Sequence, residues 1–130
     1  MTTQPAKILV IEDNALNLEL ATELLKSVGH TVVQARSAEE GLRLARSEHP
    51  DLILLDVRMP GMDGLAAVRV LKRDGATRRI PTVAMTAQAM KGDEKAALAA
   101  GFDAYVTKPI DTRALPQVVT RLLTSRESPP

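Results

Sequence analysis

Acidic, hydroxyl and cationic side chains follow short apolar runs in this 130-residue sequence. The adjacent carboxylates of Glu12 and Asp13 follow the first run, and the single carboxylate of Asp56 follows the third. The hydroxyl of Thr86 follows the fourth run and the amine of Lys108 follows the fifth. If these side chains meet, the three carboxylates repel one another unless a cation lies between them. An all-oxygen cluster of this kind suits Mg²⁺, which keeps coordination sites open for phosphoryl oxygens.

The same residue types provide the parts of phosphoryl transfer, namely a carboxylate nucleophile, a divalent ion, and a lysine and hydroxyl that bind phosphoryl oxygens. Asp56 is the best candidate for the nucleophile because it stands alone, whereas Glu12 and Asp13 are adjacent and better suited to holding a metal. An acid at the end of a strand can instead cap the next helix, so capping remains an alternative for each of them.

The apolar runs predict the strands that would carry these residues, and helical spacing predicts a helix after each strand. The predicted strands are 7–11, 30–35, 52–55, 82–85 and 104–106. The first and third are almost continuously apolar, which is typical of central parallel strands covered on both faces. The fourth helix is expected over 89–100, and the last should begin near Thr112 because Pro116 is tolerated only in a first helical turn.

Boundary residues agree with these elements. Ser37 and Asp63 stand where helix N-caps are expected, and Gly29 and Gly101 stand where helices should end. The histidines, His30 and His49, are expected at surface or capping positions rather than as metal ligands.

Five successive strand-helix units with short links predict a doubly wound, five-stranded parallel sheet in a three-layer α/β/α arrangement. In such sheets ligands bind outside the carboxyl ends of the strands, so the polar residues described above should form one shallow pocket. The chain 1–130 is expected to be one domain, with a core over about 7–123 and an unstructured tail over 124–130.

Composition excludes several other functions. The 17 basic and 16 acidic residues are interspersed, so no basic patch for nucleic acid is present. Two aromatic residues, Phe102 and Tyr105, are too few for a base-stacking surface. The absence of cysteine excludes disulfides and thiol chemistry. No apolar stretch approaches the roughly 20 residues of a membrane span, and no secretory signal is evident, so a cytoplasmic location is expected.

Four segments of the chain, at compatible spacings, resemble the signature segments of CheY-like receiver domains of bacterial response regulators. They are ILVIEDN at 8–14, LILLDVRMPGMDG at 52–64, VAMTA at 83–87 and YVTKP at 105–109. The resemblance extends over about 7–123 and implies a flavodoxin-like strand order 2-1-3-4-5. It is strongest to stand-alone regulators and to receivers of hybrid kinases and phosphorelays.

The resemblance implies a role for each acidic residue. Asp56 corresponds to the phosphoacceptor and to a metal ligand. Asp13 is similar to the direct acidic ligand of Mg²⁺, or of Mn²⁺ as a substitute, and Glu12 to a ligand that can act through water. The backbone carbonyl of Arg58 matches the remaining ligand. The side chains of Arg58 and Gln88 occupy two positions that tune the phosphoryl lifetime in the family.

The remaining site residues are also assigned by the resemblance. Thr86 matches the hydroxyl that moves to the phosphoryl group, and Lys108 matches the lysine that binds it. Tyr105 matches the aromatic residue whose rotamer changes with that movement. The Lys108–Pro109 bond resembles the cis peptide of the family, which would direct the lysine into the pocket.

The implied function is that of a single-domain response regulator. It would accept a phosphoryl group from a histidine kinase or a histidine phosphotransfer protein and then change its binding to a downstream protein partner, without contacting nucleic acid or membrane. It would not be a conventional enzyme, although it would assist its own phosphorylation and slow dephosphorylation.

Three alternatives remain from the sequence. A phosphatase of the haloacid-dehalogenase type also uses an aspartyl nucleophile, but usually within a DxD motif after the first strand and beneath a cap. Here the first strand is followed by Glu12 and Asp13, and no cap-sized insertion is present. A flavodoxin-like cofactor binder is disfavoured by the acidic pocket and the shortage of aromatic residues. The chain could also be a receiver cut from a hybrid kinase or a DNA-binding regulator.

Overall fold

A computed structural model describes residues 5–59, 61–87, 91–108 and 110–127. Strands and helices alternate along the chain. The strands are β1 (Lys7–Ile11), β2 (Thr31–Ala35), β3 (Leu52–Asp56), β4 (Thr82–Ala87) and β5 (Ala104–Lys108). The helices are α1 (Ala15–Ser27), α2 (Ala38–Glu48), α3 (Gly64–Arg73), α4 (Lys91–Ala100) and α5 (Ala114–Glu127).

The five strands form one parallel sheet in the order β2-β1-β3-β4-β5. This arrangement confirms the doubly wound α/β fold and the expected strand order. In the register, Ile11 pairs with Leu55 and Asp56 pairs with Met85. The carboxyl ends of β1 and β3 therefore lie within one residue of each other, and β4 continues two residues beyond the partner of Asp56. We call the edge of the sheet where these strands end the carboxyl edge.

Helices cover both faces of the sheet, which explains why β1 and β3 are apolar at nearly every position. Alternate side chains of β1 point to opposite faces. Ile8 and Val10 belong to the core beneath α1 and α5, whereas Leu9 and Ile11 belong to the core beneath α2, α3 and α4. All five residues of β3 are buried, so Asp56 ends a strand that is covered on both faces.

The predicted helix boundaries hold where capping chemistry sets them. The side chain of Ser37 accepts a hydrogen bond from the Glu40 amide at the start of α2, and that of Asp63 accepts one from the Ala66 amide at the start of α3. After α1 and α4, Gly29 and Gly101 have φ values of 99° and 123°, which favour glycine.

Several strand ends differ from the prediction. β3, β4 and β5 extend to residues 56, 87 and 108, and β2 begins at Thr31. The extensions occur because pairing continues along the backbone past the apolar run, as between Ala87 and Lys108. A polar side chain at the edge of a sheet does not interrupt that pairing.

The helices near the carboxyl terminus agree with the prediction only in part. α5 spans Ala114–Glu127, and the Asp111 carboxylate accepts hydrogen bonds from the amides of Arg113 and Ala114, as a helix N-cap does, which agrees with the predicted start near Thr112. The tail expected from 124 is wrong as far as Glu127, since α5 continues to that residue and contains no proline or glycine after Pro116 in its first turn. The described part of the fourth helix begins at Lys91, and the predicted positions 89 and 90 lie outside the described residues.

No helix in the described ranges is both long enough and apolar enough to cross a membrane.

The two histidines occupy different environments. His49 is exposed and ends α2 in the left-handed conformation, as a capping residue does. His30 is only 6% exposed, and its Nδ1 accepts a hydrogen bond of 3.1 Å from the Ala6 amide. That bond requires an unprotonated Nδ1. Burial lowers the pKa of His30 below its ordinary value, although the nearby carboxylate of Asp51 opposes this effect.

We predict that His30 makes the protein less stable as the pH falls. Below the ordinary histidine pKa of about 6.5, the unfolded chain binds a proton that the folded protein excludes. The free energy of unfolding should then decrease with falling pH, by at most about 1.4 kcal/mol per pH unit for this one proton. His30→Asn keeps an acceptor for the Ala6 amide but cannot titrate, so its stability should decrease less steeply.

Urea denaturation at several pH values between about 5 and 7.5 measures this difference. His49→Asn is the matched control, because asparagine tolerates the left-handed conformation and this side chain is exposed. The control should follow the wild-type curve. Parallel curves for the wild type and His30→Asn would contradict the prediction.

Candidate functional site

Three carboxylates meet at the carboxyl edge of the sheet. Glu12 and Asp13 follow β1 directly, and Asp56 is the last residue of β3. Because Ile11 pairs with Leu55, Glu12 and Asp56 occupy adjacent positions on neighbouring strands. One oxygen atom from each of the three carboxylates lies within 4.8 Å of the other two. The structure therefore brings together the acidic residues that the sequence singled out.

Lys108 provides the cation of this cluster. It is the last residue of β5, which is separated from β3 by β4, so its long side chain passes over the end of β4. Its Nζ donates a hydrogen bond of 2.9 Å to Oδ2 of Asp56. The same Nζ lies 2.7 Å from Oε1 of Glu12 and so forms an ion pair with that carboxylate as well.

Burial and crowding alter the ionisation of Glu12 and Lys108. Glu12 is completely buried, and this burial raises its pKa to about 7, with Lys108 opposing the shift and Asp56 adding to it. Burial by itself would lower the pKa of Lys108, but contacts with Glu12 and Asp56 outweigh it and the pKa is raised. The lysine therefore remains charged at neutral pH, whereas Glu12 is only partly ionised there.

The donor set of this cluster fits a small divalent cation. Three carboxylates face one ammonium group, and all the available ligand atoms are oxygens. Oε1 of Glu12 is completely buried and has the Lys108 ammonium beside it at 2.7 Å. Mg²⁺ and Mn²⁺ prefer oxygen ligands, and a divalent ion would offset the repulsion between the carboxylates. Glu12, Asp13 and Asp56 are the residues that could hold it.

None of the three acids caps a helix, so the alternative interpretation of these residues as capping groups is wrong. The N-cap of α1 is Asn14, whose side chain accepts a hydrogen bond from the Asn17 amide. The N-cap of α3 is Asp63. Glu12 instead accepts a hydrogen bond of 3.1 Å from the Asn14 amide through Oε2.

The backbone around Asp56 is held by close contact with α3. The Arg58 amide donates a hydrogen bond to Oδ1 of Asp56, and the Gly64 amide donates one to the Val57 carbonyl. A Cβ atom on Gly64 would lie 2.7 Å from Cα of Val57 and would also meet the carbonyl oxygen of Asp56. α3 can therefore start this close to Asp56 only with glycine. Sequence reasoning missed this role, although a glycine directly after the cap residue Asp63 is a usable signal.

Thr86 and Tyr105 lie on the face of the sheet covered by α2, α3 and α4. Thr86 is 1% exposed, and its hydroxyl has no hydrogen-bond partner among the described residues. It lies one position beyond Met85, the partner of Asp56 in the sheet. Ala84 is on the same face as Thr86 because side chains alternate along a strand, and Ala84 pairs with Tyr105. Tyr105 is half-buried against the core of that face.

The remaining assignments are not decided by the geometry. Arg58 is exposed, and the roles of its carbonyl and side chain remain predictions. Gln88 and Pro109 lie outside the described residues, so the tuning position and the Lys108–Pro109 bond remain predictions as well.

A parallel sheet in the order 2-1-3-4-5, with an acidic cluster and a lysine at its carboxyl edge, defines the class of a receiver. The family model described as "Response regulator receiver domain" matches residues 8–120. The chain therefore belongs to the response-regulator receiver family, whose members act in two-component signalling.

Relatives and solved structures agree with this assignment. The chain is 45% identical over 103 residues to the polar-differentiation response regulator DivK of Brucella ovis, covering 79% of this chain and 84% of the relative. The receiver domain of a histidine kinase from Syntrophus aciditrophicus superimposes with a TM-score of 0.87 at 33% identity, covering 96% of this chain and 95% of that one.

A third comparison concerns the metal. The receiver domain of a sensor histidine kinase from Pseudomonas aeruginosa PAO1 has a TM-score of 0.86 and 32% identity, covering 92% of this chain and 98% of that one. That structure has a magnesium ion coordinated in its active-site cleft. Together, the comparisons confirm the predicted similarity to single response regulators and to receivers of histidine kinases.

We predict that Gly64→Ala destabilises the protein by about 1–3 kcal/mol, the usual cost of overpacking. The new methyl group would press on backbone atoms of Asp56 and Val57, which cannot move as a side-chain end can. Gly75→Ala is the matched control, because a Cβ there meets no atom within 4 Å. Thermal and urea unfolding measure both variants. Equal stability of Gly64→Ala and the wild type would contradict the proposed close approach.

Proposed function

We propose that this chain is a phosphorylation-dependent switch that accepts a phosphoryl group on Asp56 from a phosphohistidine of a histidine kinase or histidine phosphotransfer protein. The observation that carries the proposal is the placement of the Asp56 carboxylate. It ends the central strand β3, binds the Lys108 ammonium at 2.9 Å and lies beside the carboxylates of Glu12 and Asp13. Family membership supports the same conclusion.

In the proposed reaction, a carboxylate oxygen of Asp56 attacks the phosphorus atom of the donor. A new O–P bond forms and the N–P bond breaks, with its electron pair passing to the imidazole nitrogen, which then takes a proton from solvent. The Lys108 ammonium, already beside Asp56, stabilises negative charge on the phosphoryl oxygens. Bound Mg²⁺, held by Asp13, Asp56 and Glu12 and by the carbonyl of Arg58, would supply further charge neutralisation.

The donor histidine must belong to another molecule. His30 precedes β2 and His49 lies between α2 and β3, so both lie at the amino edge of the sheet, opposite Asp56. His30 is also buried, with its Nδ1 occupied by the Ala6 amide. A partner protein that presents its phosphohistidine to the carboxyl edge fits this geometry.

The proposed switch uses the hydroxyl of Thr86 and the ring of Tyr105. Phosphorylation adds about 1.5 to 2 negative charges and strong acceptor oxygens. The Thr86 hydroxyl, which lacks a partner among the described residues, could then donate to the phosphoryl group. Movement of Thr86 would change the space next to Tyr105 on the same face, and so change the surface offered to a downstream protein.

The proposed functional unit is one receiver domain formed by the whole chain and acting in the cytoplasm through protein partners. The single sheet with one core on each face supports one domain. The interspersed charges support protein partners rather than nucleic acid. Assisted phosphorylation and slow hydrolysis of the phosphoaspartate are part of the proposal.

Incubation with a small phosphodonor and Mg²⁺, followed by intact mass measurement, tests phosphorylation of Asp56. The wild type should gain one phosphoryl group, and Asp56→Asn should gain none because the nucleophile is removed. Asp63→Asn is the matched control, because asparagine also caps helices and Asp63 lies at the start of α3. The control should be phosphorylated like the wild type.

Two outcomes would contradict this proposal. One is equal labelling of the wild type and Asp56→Asn. The other is repeated turnover of phosphate monoesters, which indicates a phosphatase.

We predict that Thr86→Val separates phosphorylation from switching. Valine has nearly the same shape but no hydroxyl, and removal of a buried group without a partner should leave stability unchanged or raise it by about 1–3 kcal/mol. The variant should still be phosphorylated, but the change in the NMR resonances around Tyr105 on phosphorylation should be largely lost. Thr86→Ser keeps the hydroxyl and should respond like the wild type. A full response in Thr86→Val would exclude the hydroxyl from the switch.

A further inference from the structure

An arginine outside the acidic cluster forms a hydrogen bond with the loop that carries Asp13. Arg36 follows β2 directly and therefore lies at the same carboxyl edge as the cluster. Its Nη2 donates a hydrogen bond of 3.0 Å to the backbone carbonyl of Asp13. The contact joins residues 23 positions apart and connects the end of β2 to the link between β1 and α1. The local sequence around Arg36 does not indicate this contact, because Asp13 is distant in the chain.

The backbone of Arg36 is itself fixed in place. The Glu12 amide donates a hydrogen bond of 3.0 Å to the carbonyl of Ala35, the residue before Arg36. The Arg36 amide donates one of 2.7 Å to Oε1 of Glu40, whose own amide is capped by Ser37. The backbone of Arg36 is therefore restrained on one side by the hydrogen bond to Ala35 and on the other by the hydrogen bond to Glu40. Its side chain extends from this fixed backbone.

The hydrogen bond from Arg36 is one of two that restrain the same peptide unit. The peptide between Asp13 and Asn14 has its carbonyl bound by Arg36 and its N–H bound by Oε2 of Glu12. A peptide unit is planar, so two hydrogen bonds at opposite sides fix its orientation. The Cα atom of Asp13 belongs to this plane, so the two hydrogen bonds restrain the point from which the Asp13 side chain extends.

We propose that Arg36 is a positioning residue that holds the Asp13 carboxylate in the orientation needed to bind Mg²⁺. This inference rests on the proposed function, in which Asp13 is a metal ligand. The guanidinium acts only through the Asp13 carbonyl and touches neither the metal nor the phosphoryl group. Groups that orient ligands in this way commonly change metal affinity by tenfold or more when they are removed.

The positive charge of Arg36 should affect Mg²⁺ affinity in the opposite direction to its positioning role. The direction in which the affinity changes when Arg36 is replaced therefore distinguishes the two roles. A cation beside an acidic cluster weakens the binding of a second cation. If Arg36 acts only as a charge, its removal should tighten Mg²⁺ binding. If it acts as a positioning residue, its removal should weaken Mg²⁺ binding despite the gain in negative charge.

Titration calorimetry with Mg²⁺ on Arg36→Met, Arg36→Lys and the wild type tests the inference. Arg36→Met removes both charge and donor, and the affinity should fall by about three- to tenfold, which is less than the usual effect because the side chain is exposed. Arg36→Lys keeps a charged donor on a side chain one atom shorter, and because the contact is a single hydrogen bond rather than a bidentate one, Mg²⁺ should bind within about twofold of the wild type. Arg43→Met is the matched control, because it makes the same replacement at another exposed arginine. Arg43 belongs to α2 and lines the groove towards α3 rather than the acidic cluster.

A second measurement needs no metal. The NMR resonance of the Asp13 carbonyl carbon reports the hydrogen bond that the carbonyl accepts, so it should shift in Arg36→Met and change little in Arg36→Lys and Arg43→Met. Thermal unfolding verifies that all variants are folded.

The outcomes distinguish this inference from the proposed function. Unchanged or tighter Mg²⁺ binding by Arg36→Met, with a wild type that is phosphorylated on Asp56, overturns only the role of Arg36. A wild type that binds no Mg²⁺ overturns both.

Discussion

Repulsion among three carboxylates at one edge of a parallel sheet is the constraint on which the other features of this site depend. Glu12, Asp13 and Asp56 lie within 4.8 Å of one another and have a single ammonium group, Lys108, among them. The fold imposes this crowding, because the paired strands β1 and β3 end within one residue of each other. Burial is the main cause of the raised pKa of Glu12, and the neighbouring carboxylate of Asp56 adds to it. A divalent cation would decrease the repulsion between the carboxylates, and a phosphoryl group on Asp56 would change the charge of the cluster. The site can therefore respond to both.

The two edges of the sheet use polar residues differently. At the amino edge, polar side chains bind the backbone amides that begin the strands, as His30 does for Ala6, Asp51 for Lys7 and Asp103 for Thr82. Lys72 donates to Asp103 and to two carbonyl groups, so its charge serves structure rather than a docking surface. At the carboxyl edge, the carboxylates of the acidic cluster and the hydroxyl of Thr86 are placed to bind a cation or a phosphoryl group. The amino edge holds the strands in register, and this keeps the carboxyl edge in place.

Local sequence patterns predicted the elements and the members of the acidic cluster, because strand propensity and the polar residue after each strand are both local signals. They could not give the strand order, which came from the resemblance to receivers, since nothing local specifies which strands become neighbours. The contacts of Gly64, Arg36 and His30 were missed for the same reason. Each depends on a partner brought close only by the tertiary fold, namely Asp56 and Val57, Asp13, and Ala6.

The most direct test of this account is the Mg²⁺ affinity of Lys108→Met compared with that of the wild type, measured by titration calorimetry. If repulsion among the carboxylates drives cation binding, removal of the ammonium group leaves the cluster more negative and should tighten Mg²⁺ binding severalfold. Asp13→Asn should have the opposite effect and weaken binding. Weaker binding by Lys108→Met, or no Mg²⁺ binding by the wild type, would contradict the account.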